Sequence, residues 1–221
     1  ESQLAAVHAG EVDVLVGTQM IAKGHDFRRI TLVAAVNPDG ALFSSDFRAP
    51  ERLFSLLMQA AGRAGRDAGV AGASEMWIQT SHPAHPLFEA LKRHDYPAFA
   101  LQQLMERQQA GLPPFSFQAL VRAEARSQDA GLAFLNAASL AATEQLGALP
   151  GFDQVTLYPA VPMSIQRIAN VERVQMLVES RSRAALQRFL VAWHAILHAT
   201  RALPEAKGLI RWAVDVDPLA I

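Results

Sequence analysis

Hydrophobic and polar positions along this chain change rhythm at about residue 110. Before it, short apolar runs alternate with longer stretches of helical period. A run near 12–16, closed by Gly17, reads as a buried strand, and Thr31–Val36 as a second. A helix is predicted over roughly 49–64, a strand over Ser74–Thr80, and two helices near 85–94 and 96–109. Strands alternating with helices predict an α/β unit built on a largely parallel sheet. Pro83 and Pro86 mark the turn before the two helices, and Gly111-Leu-Pro113-Pro114 reads as a domain boundary. Beyond it, Phe117–Ala125 alternates as a strand does, and Asp129–Leu146 has helical period. Val155–Val161 and Val171–Glu179 read as strands joined by a longer loop, Met163–Glu172. Ser182–Thr200 reads as a helix with Ser182 as N-cap, and Leu209–Val216 as a last strand. The order βαββαβ is that of an α+β, ferredoxin-like domain, an antiparallel sheet with two helices on one face. The predicted domains are therefore 1–110 and 111–221.

Composition narrows the class without naming a function. At 221 residues, half of them apolar, the chain can bury one large or two small cores. No apolar stretch approaches the roughly 20 residues that cross a bilayer. The first residues are polar and acidic, unlike a signal peptide, so a cytoplasmic protein with no membrane partner is expected. The absence of cysteine excludes a cysteine-ligated metal here. A net charge of −1 supplies no global field for DNA, so any DNA contact must come from local patches.

The strongest chemical signal is Gln59-Ala-Ala-Gly62-Arg63-Ala-Gly65-Arg66. Arginines three apart on a helix turn to roughly the same face, about 60° apart. Each offers a permanent charge and a planar fork of donors for phosphate oxygens, and the glycines let a nucleotide approach. This is the pattern of an arginine finger, which neutralises charge on a transferred phosphoryl group. The alternative is a solvated basic helix end favoured by the dipole. Upstream, the first strand leads into Gly17-Thr18-Gln19 and then Ala22-Lys23-Gly24-His25-Asp26-Phe27. Open α/β sheets bind ligands at the carboxyl ends of their strands. Thr18 and Gln19 suit neutral hydrogen bonds to a nucleic-acid phosphate or sugar, and Lys23 a phosphate. Asp26 suits a ribose hydroxyl. No G-x-x-x-x-G-K-[ST] loop and no DExH-type tetrad occurs, and Asp215-Val-Asp217-Pro218 is a poor imitation of the latter. Nucleotide hydrolysis needs both a phosphate cradle and a magnesium carboxylate, so this chain alone is expected to be inactive.

Taken in order, these segments resemble the C-terminal part of a superfamily 2 helicase, with motif V at 17–27 and motif VI at 59–66. Together with Asn37–Arg52, Gln79–Pro86, Leu112–Ala125 and Trp212–Pro218, they resemble the PriA (primosomal protein N′) family of replication-restart helicases over nearly the whole chain. The resemblance implies a C-terminal fragment holding part of RecA-like lobe 2 and the family's C-terminal domain. It implies an ATP-dependent 3′→5′ DNA helicase that recognises stalled forks and assembles the primosome. ATP and Mg2+ would bind between lobes, and zinc in a cysteine-rich module ahead of motif V. Arg63 and Arg66 would then be catalytic. Gln59, Gly24 and Asp26 would touch nucleotide, and Thr18, Gln19 and Lys23 would grip single-stranded DNA. Implied partners are branched and single-stranded DNA, the acidic C-terminal tail of single-stranded-DNA-binding protein, and other primosome proteins. A non-enzymatic fragment that only docks DNA and an acidic tail stays open, as does a different motor such as a chromatin-type translocase.

Arg181, Arg183 and Gln187 fall at the start of the 182–200 helix, where free N–H groups and arginine suit a carboxylate. By the resemblance, Arg183 and Gln187 align with positions lining the acidic-tail pocket. A surface helix with scattered basic residues is the competing reading. His194 and His198 are four apart on that helix with no third ligand in view, so no metal is expected. Asp46, Arg48, Glu51 and Arg52 read as an internal salt-bridge network. The 163–172 loop offers only Arg167 and nearby Arg173, which makes phosphate contact there doubtful.

Overall fold

Leu32–Val36 (β1) and Glu75–Gln79 (β2) run parallel, paired from Leu32 opposite Glu75 to Val36 opposite Gln79. The structure, a computed structural model, describes residues 6–7, 9, 11–18, 30–62 and 75–219. Between the strands lie α1 (Asp39–Leu42) and α2 (Ala49–Ala61). After them come α3 (Pro86–Lys92) and α4 (Tyr96–Ala110). Pro50 opens α2 where its missing N–H costs nothing. Leu53, Phe54, Leu57 and Ala60 then fall on one buried face, and the first three pack with Leu87, Phe88, Leu91 and Phe99, Phe54 stacking on Phe99 at 4.2 Å. Ala35, Met76 and Ile78 turn one face of the sheet to this core. The other face leaves Leu32, Val36 and Trp77 exposed.

The expected strand near 12–16 is not formed. Its residues are irregular, with Val14 76% and Val16 87% exposed, and among the described residues no strand pairs with it. So short an apolar run has little preference of its own, and is a strand only where a ladder receives it. The chain divides into two compact units, Glu1–Met105 and Glu106–Ile221. The division falls inside α4, which runs to Ala110.

In the second unit the order is β3 (Phe117–Ala125), α5 (Gln128–Leu146), β4 (Val155–Leu157), β5 (Val161–Ile168), β6 (Val171–Ser180), α6 (Arg183–Thr200) and β7 (Leu209–Val216). The strands lie in the order β4-β6-β3-β7, all neighbours antiparallel, with β5 also on β6. Ala119, Val121 and Ala123 of β3 and Val174, Met176 and Val178 of β6 alternate onto one face. There they meet Phe134, Leu135 and Ala138 of α5 and Phe189, Trp193 and Leu197 of α6. Both helices therefore cover the same face, as the βαββαβ order predicts. Trp193 is fully buried and donates its indole N–H to the Ala138 carbonyl at 2.8 Å, tying α6 to α5. Gly131 lets α5 approach β6: a Cβ there would stand 2.7 Å from Val174 Cγ2.

Two expectations for this unit need correction. The strand Val155–Val161 is broken in two: Tyr158 still donates to Leu177 O, but Pro159 has no N–H with which to extend the ladder. The loop Met163–Glu172 is instead a hairpin of β5 and β6. Its two-residue turn, Ala169 and Asn170, has φ of 48° and 64°, both in the left-handed region that such tight hairpins require.

Candidate functional site

The helicase-type residues are only partly within view. Thr18 lies on exposed irregular backbone, and Gln59 on the exposed face of α2, one position before the buried Ala60. Gln19, Lys23, Gly24, Asp26, Arg63 and Arg66 lie outside the described residues. Nearby, Asp46 caps the approach to α2, accepting from the Arg48 N–H at 2.9 Å and pairing with Arg52. Burial raises the Asp46 carboxyl, but the Arg52 and Arg48 hydrogen bonds outweigh it and hold it below the usual carboxylate range. Asp39 accepts from the Thr80 hydroxyl and the Ser81 N–H, which lowers its pKa and clips α1 to the end of β2.

Arg183 and Gln187 are the predicted site residues whose surroundings are defined. Ser182 caps α6, its Oγ accepting from Ala185 N–H at 3.2 Å, while Ser180 Oγ accepts from Ser182 N–H at 3.0 Å. Arg183 is thereby set at the first turn, with Gln187 exposed one turn later on the same side. Three strand ends meet there. The Arg183 guanidinium lies 4.5 Å over the Phe117 ring, at the start of β3. Its Nη1 donates to Asp217 Oδ2 at 3.1 Å, just past the end of β7. Asp217 is held by its own N–H to Gln118 O at 2.9 Å and has φ 54°. The cation is stacked and turned outward, already gripping one carboxylate of this chain. Phe117 and Asp217 were not legible as site residues, since only the strand register brings them to α6.

The acidic residues set aside as a poor tetrad have structural partners: Asp217 on Arg183, and Asp215 on Arg122 at 2.7 Å. Asp215 belongs to a paired mosaic on the helix-free face of the sheet. Glu124 accepts both forks of Arg211 at 2.7 and 2.8 Å and stands 3.9 Å from Arg173. The Arg211 hydrogen bond holds the Glu124 carboxyl below its ordinary range. Arg167, at the hairpin, is engaged by Asn170 at 3.0 Å and Glu172 at 3.5 Å.

Comparisons with known proteins agree along the chain. The sequence model of the primosomal protein N C-terminal domain matches residues 108–219, and that of the helicase conserved C-terminal domain matches residues 1–68. The chain is similar to the replication restart protein PriA of Haemophilus influenzae, 43% identical over 99% of this chain and 28% of that protein. It is 37% identical to the protein of that name from Synechocystis, over 96% of this chain and 24% of that one. With the Bacillus subtilis protein it shares 33% identity over 99% of this chain and 26% of the relative. The chain thus spans about a quarter of the length of these relatives.

Proposed function

The chain belongs to the family of the primosomal protein N C-terminal domain, and from that membership we propose that it is part of an ATP-dependent 3′→5′ DNA helicase that restarts stalled replication forks. The observation that carries this reading is the order of two family matches on one chain, a helicase C-terminal domain and then the primosomal domain. Arg63 and Arg66 fit the γ-phosphate of ATP by their donor chemistry, with Gln59, Gly24 and Asp26 beside the nucleotide. ATP with Mg2+ would supply the phosphoryl group and its counter-charge. Thr18, Gln19 and Lys23 would hold single-stranded DNA. Zinc, by family likeness, belongs to a cysteine-rich module of the longer protein, since this chain has no cysteine. The protein would work in the cytoplasm with other primosome proteins.

The test is made in the longer protein. Arg63→Ala and Arg66→Ala should lower kcat for ATP by about 10³-fold while DNA affinity stays nearly unchanged. Loss of DNA binding with turnover intact would instead support the basic-helix-end reading. The chain by itself should show no DNA-stimulated ATP hydrolysis.

A second reading, for residues 111–221, rests on the occupied arginine. We infer that Arg183 and Gln187 receive the acidic C-terminal tail of single-stranded-DNA-binding protein. The support is that Arg183 already pairs with a carboxylate while standing over an aromatic ring. Titrating a labelled tail peptide against wild type, Arg183→Ala and Gln187→Ala tests it. Equal affinity for all three removes the site.

A further inference from the structure

The opposite end of α6 carries a groove that neither reading uses. It lies against β7, the last strand of its sheet, and has a volume of about 460 Å³. Its walls are His194, His198 and Arg201 from the end of α6, with Arg211 and Trp212 from β7. The two imidazoles are exposed and stand edge to face, 4.7 Å between centroids and 68° between planes. Each also meets the Trp212 ring edge to face, His194 at 5.4 Å and His198 at 5.0 Å. Trp212 itself is half-buried against Phe134, so it holds both imidazoles from behind. The third ring beside this histidine pair is therefore an indole, which ligates no metal.

The charge offered beside these rings is that of Arg201. None of the lining residues is acidic. Arg201 is exposed and donates to the Ile210 carbonyl at 3.4 Å, a contact that leaves its charge uncompensated. Arg211 lines the groove from β7, but its guanidinium turns to the other face of the strand, where Nε and Nη2 are held by Glu124. A groove of this size holds one small organic unit. Flat rings at the surface stack on a base, and an adjacent arginine takes the phosphate that joins it to the next. A duplex cannot use such rings, because its bases are already stacked.

We propose that this groove holds one nucleotide of single-stranded DNA, its base against His194 and His198 and its phosphate on Arg201. It lies at the far end of α6 from Arg183, so the two sites have separate tests. The probe is a twelve-residue oligothymidylate, titrated into the whole chain and followed by the imidazole NMR signals of His194 and His198 and by anisotropy. Both imidazoles should shift and saturate. Arg201→Ala, the double change His194→Ala with His198→Ala, and an abasic strand of equal length should each weaken this saturation by about fivefold or more. His194→Phe with His198→Phe, which keeps the rings, should bind within that limit. Arg183→Ala should leave the titration unchanged, and the melting temperature of each variant reports its folding. Imidazole signals that do not move at saturating strand overturn the proposal. An abasic strand or an Arg201→Ala protein within fivefold of the native pairing overturns it equally.

Discussion

Replacing Asp217 by Asn should tighten the binding of an acidic, carboxylate-terminated peptide at Arg183. Asp217 is the carboxylate such a peptide has to displace, 3.1 Å from Arg183 Nη1, with the two side chains 46% and 56% exposed. An ion pair that open to water is worth about 0.2–1 kcal/mol. Its removal should therefore raise peptide affinity by about 1.5- to 5-fold. Asparagine suits the position, since Asp217 has φ 54° and asparagine is among the few side chains that tolerate that region. Its N–H bond to Gln118 O involves only backbone and survives the change. Arg183→Ala should act the other way and more strongly, by about tenfold, because a charge-assisted bond to the incoming carboxylate is lost. Fluorescence anisotropy with a labelled peptide measures both, and both effects should shrink at high salt. An Asp217→Asn protein that binds the peptide no better than wild type, while Arg183→Ala still binds poorly, would refute the competition between carboxylates.

Gly131→Ala should destabilise the second unit, because the new Cβ would meet Val174 Cγ2 at 2.7 Å and valine is stiff and fully buried there. Overpacking of this kind costs about 1–3 kcal/mol, against roughly 1 kcal/mol gained in helix propensity, so urea melts should move to a lower midpoint. An unchanged or higher midpoint would show that α5 can lift away from β6 freely. For Glu124, the Arg211 hydrogen bond lowers the folded-state pKa, so its contribution is present above the unfolded carboxyl pKa of about 4.3. That contribution is lost as pH falls through the lower folded value. Glu124→Gln should therefore melt slightly below wild type at pH 7, with the gap closing below about pH 4. A gap that persists in acid would mean that packing, rather than charge, is what the substitution removes.

Where local period and local chemistry point the same way, the elements were legible to the residue. Phe117–Ala125 and Leu209–Val216 were read with the ends the structure gives them, and Ser182 caps its helix as its side chain predicts. The failures have separate causes. The 12–16 run lacked a ladder, and Pro159 interrupted one. The β5–β6 hairpin was hidden because its turn uses Ala169 beside Asn170, where a glycine would have signalled positive φ. The candidate site divides along the same line. Arg183 and Gln187 share a helix face near its start, so the sequence already places them together. Asp217 is 34 residues from Arg183, and it and Phe117 arrive only through the antiparallel register of β3 and β7. Trp212 was invisible beside the histidine pair for the same reason.

The position of Arg183 bears on whether it serves the helix or something else. The first turn of α6 has no acidic residue and holds this arginine instead. A helix N-terminus carries partial positive charge, so a cation there is opposed by the dipole, and the favourable places for one are the last turn. His198 and Arg201 occupy that favourable end. At the unfavourable one, Phe117 and Asp217 offset the cost of Arg183, the ring through its π face and the carboxylate through its charge. A residue wanted only to stabilise this turn would be acidic and would need neither neighbour. The arrangement instead concentrates two sources of positive potential, the guanidinium and the helix N-terminus, around one weakly held carboxylate. Such a place favours a second carboxylate over water. The local rule that Arg183 breaks is thus accounted for by the proposed carboxylate site, and not by the stability of the turn.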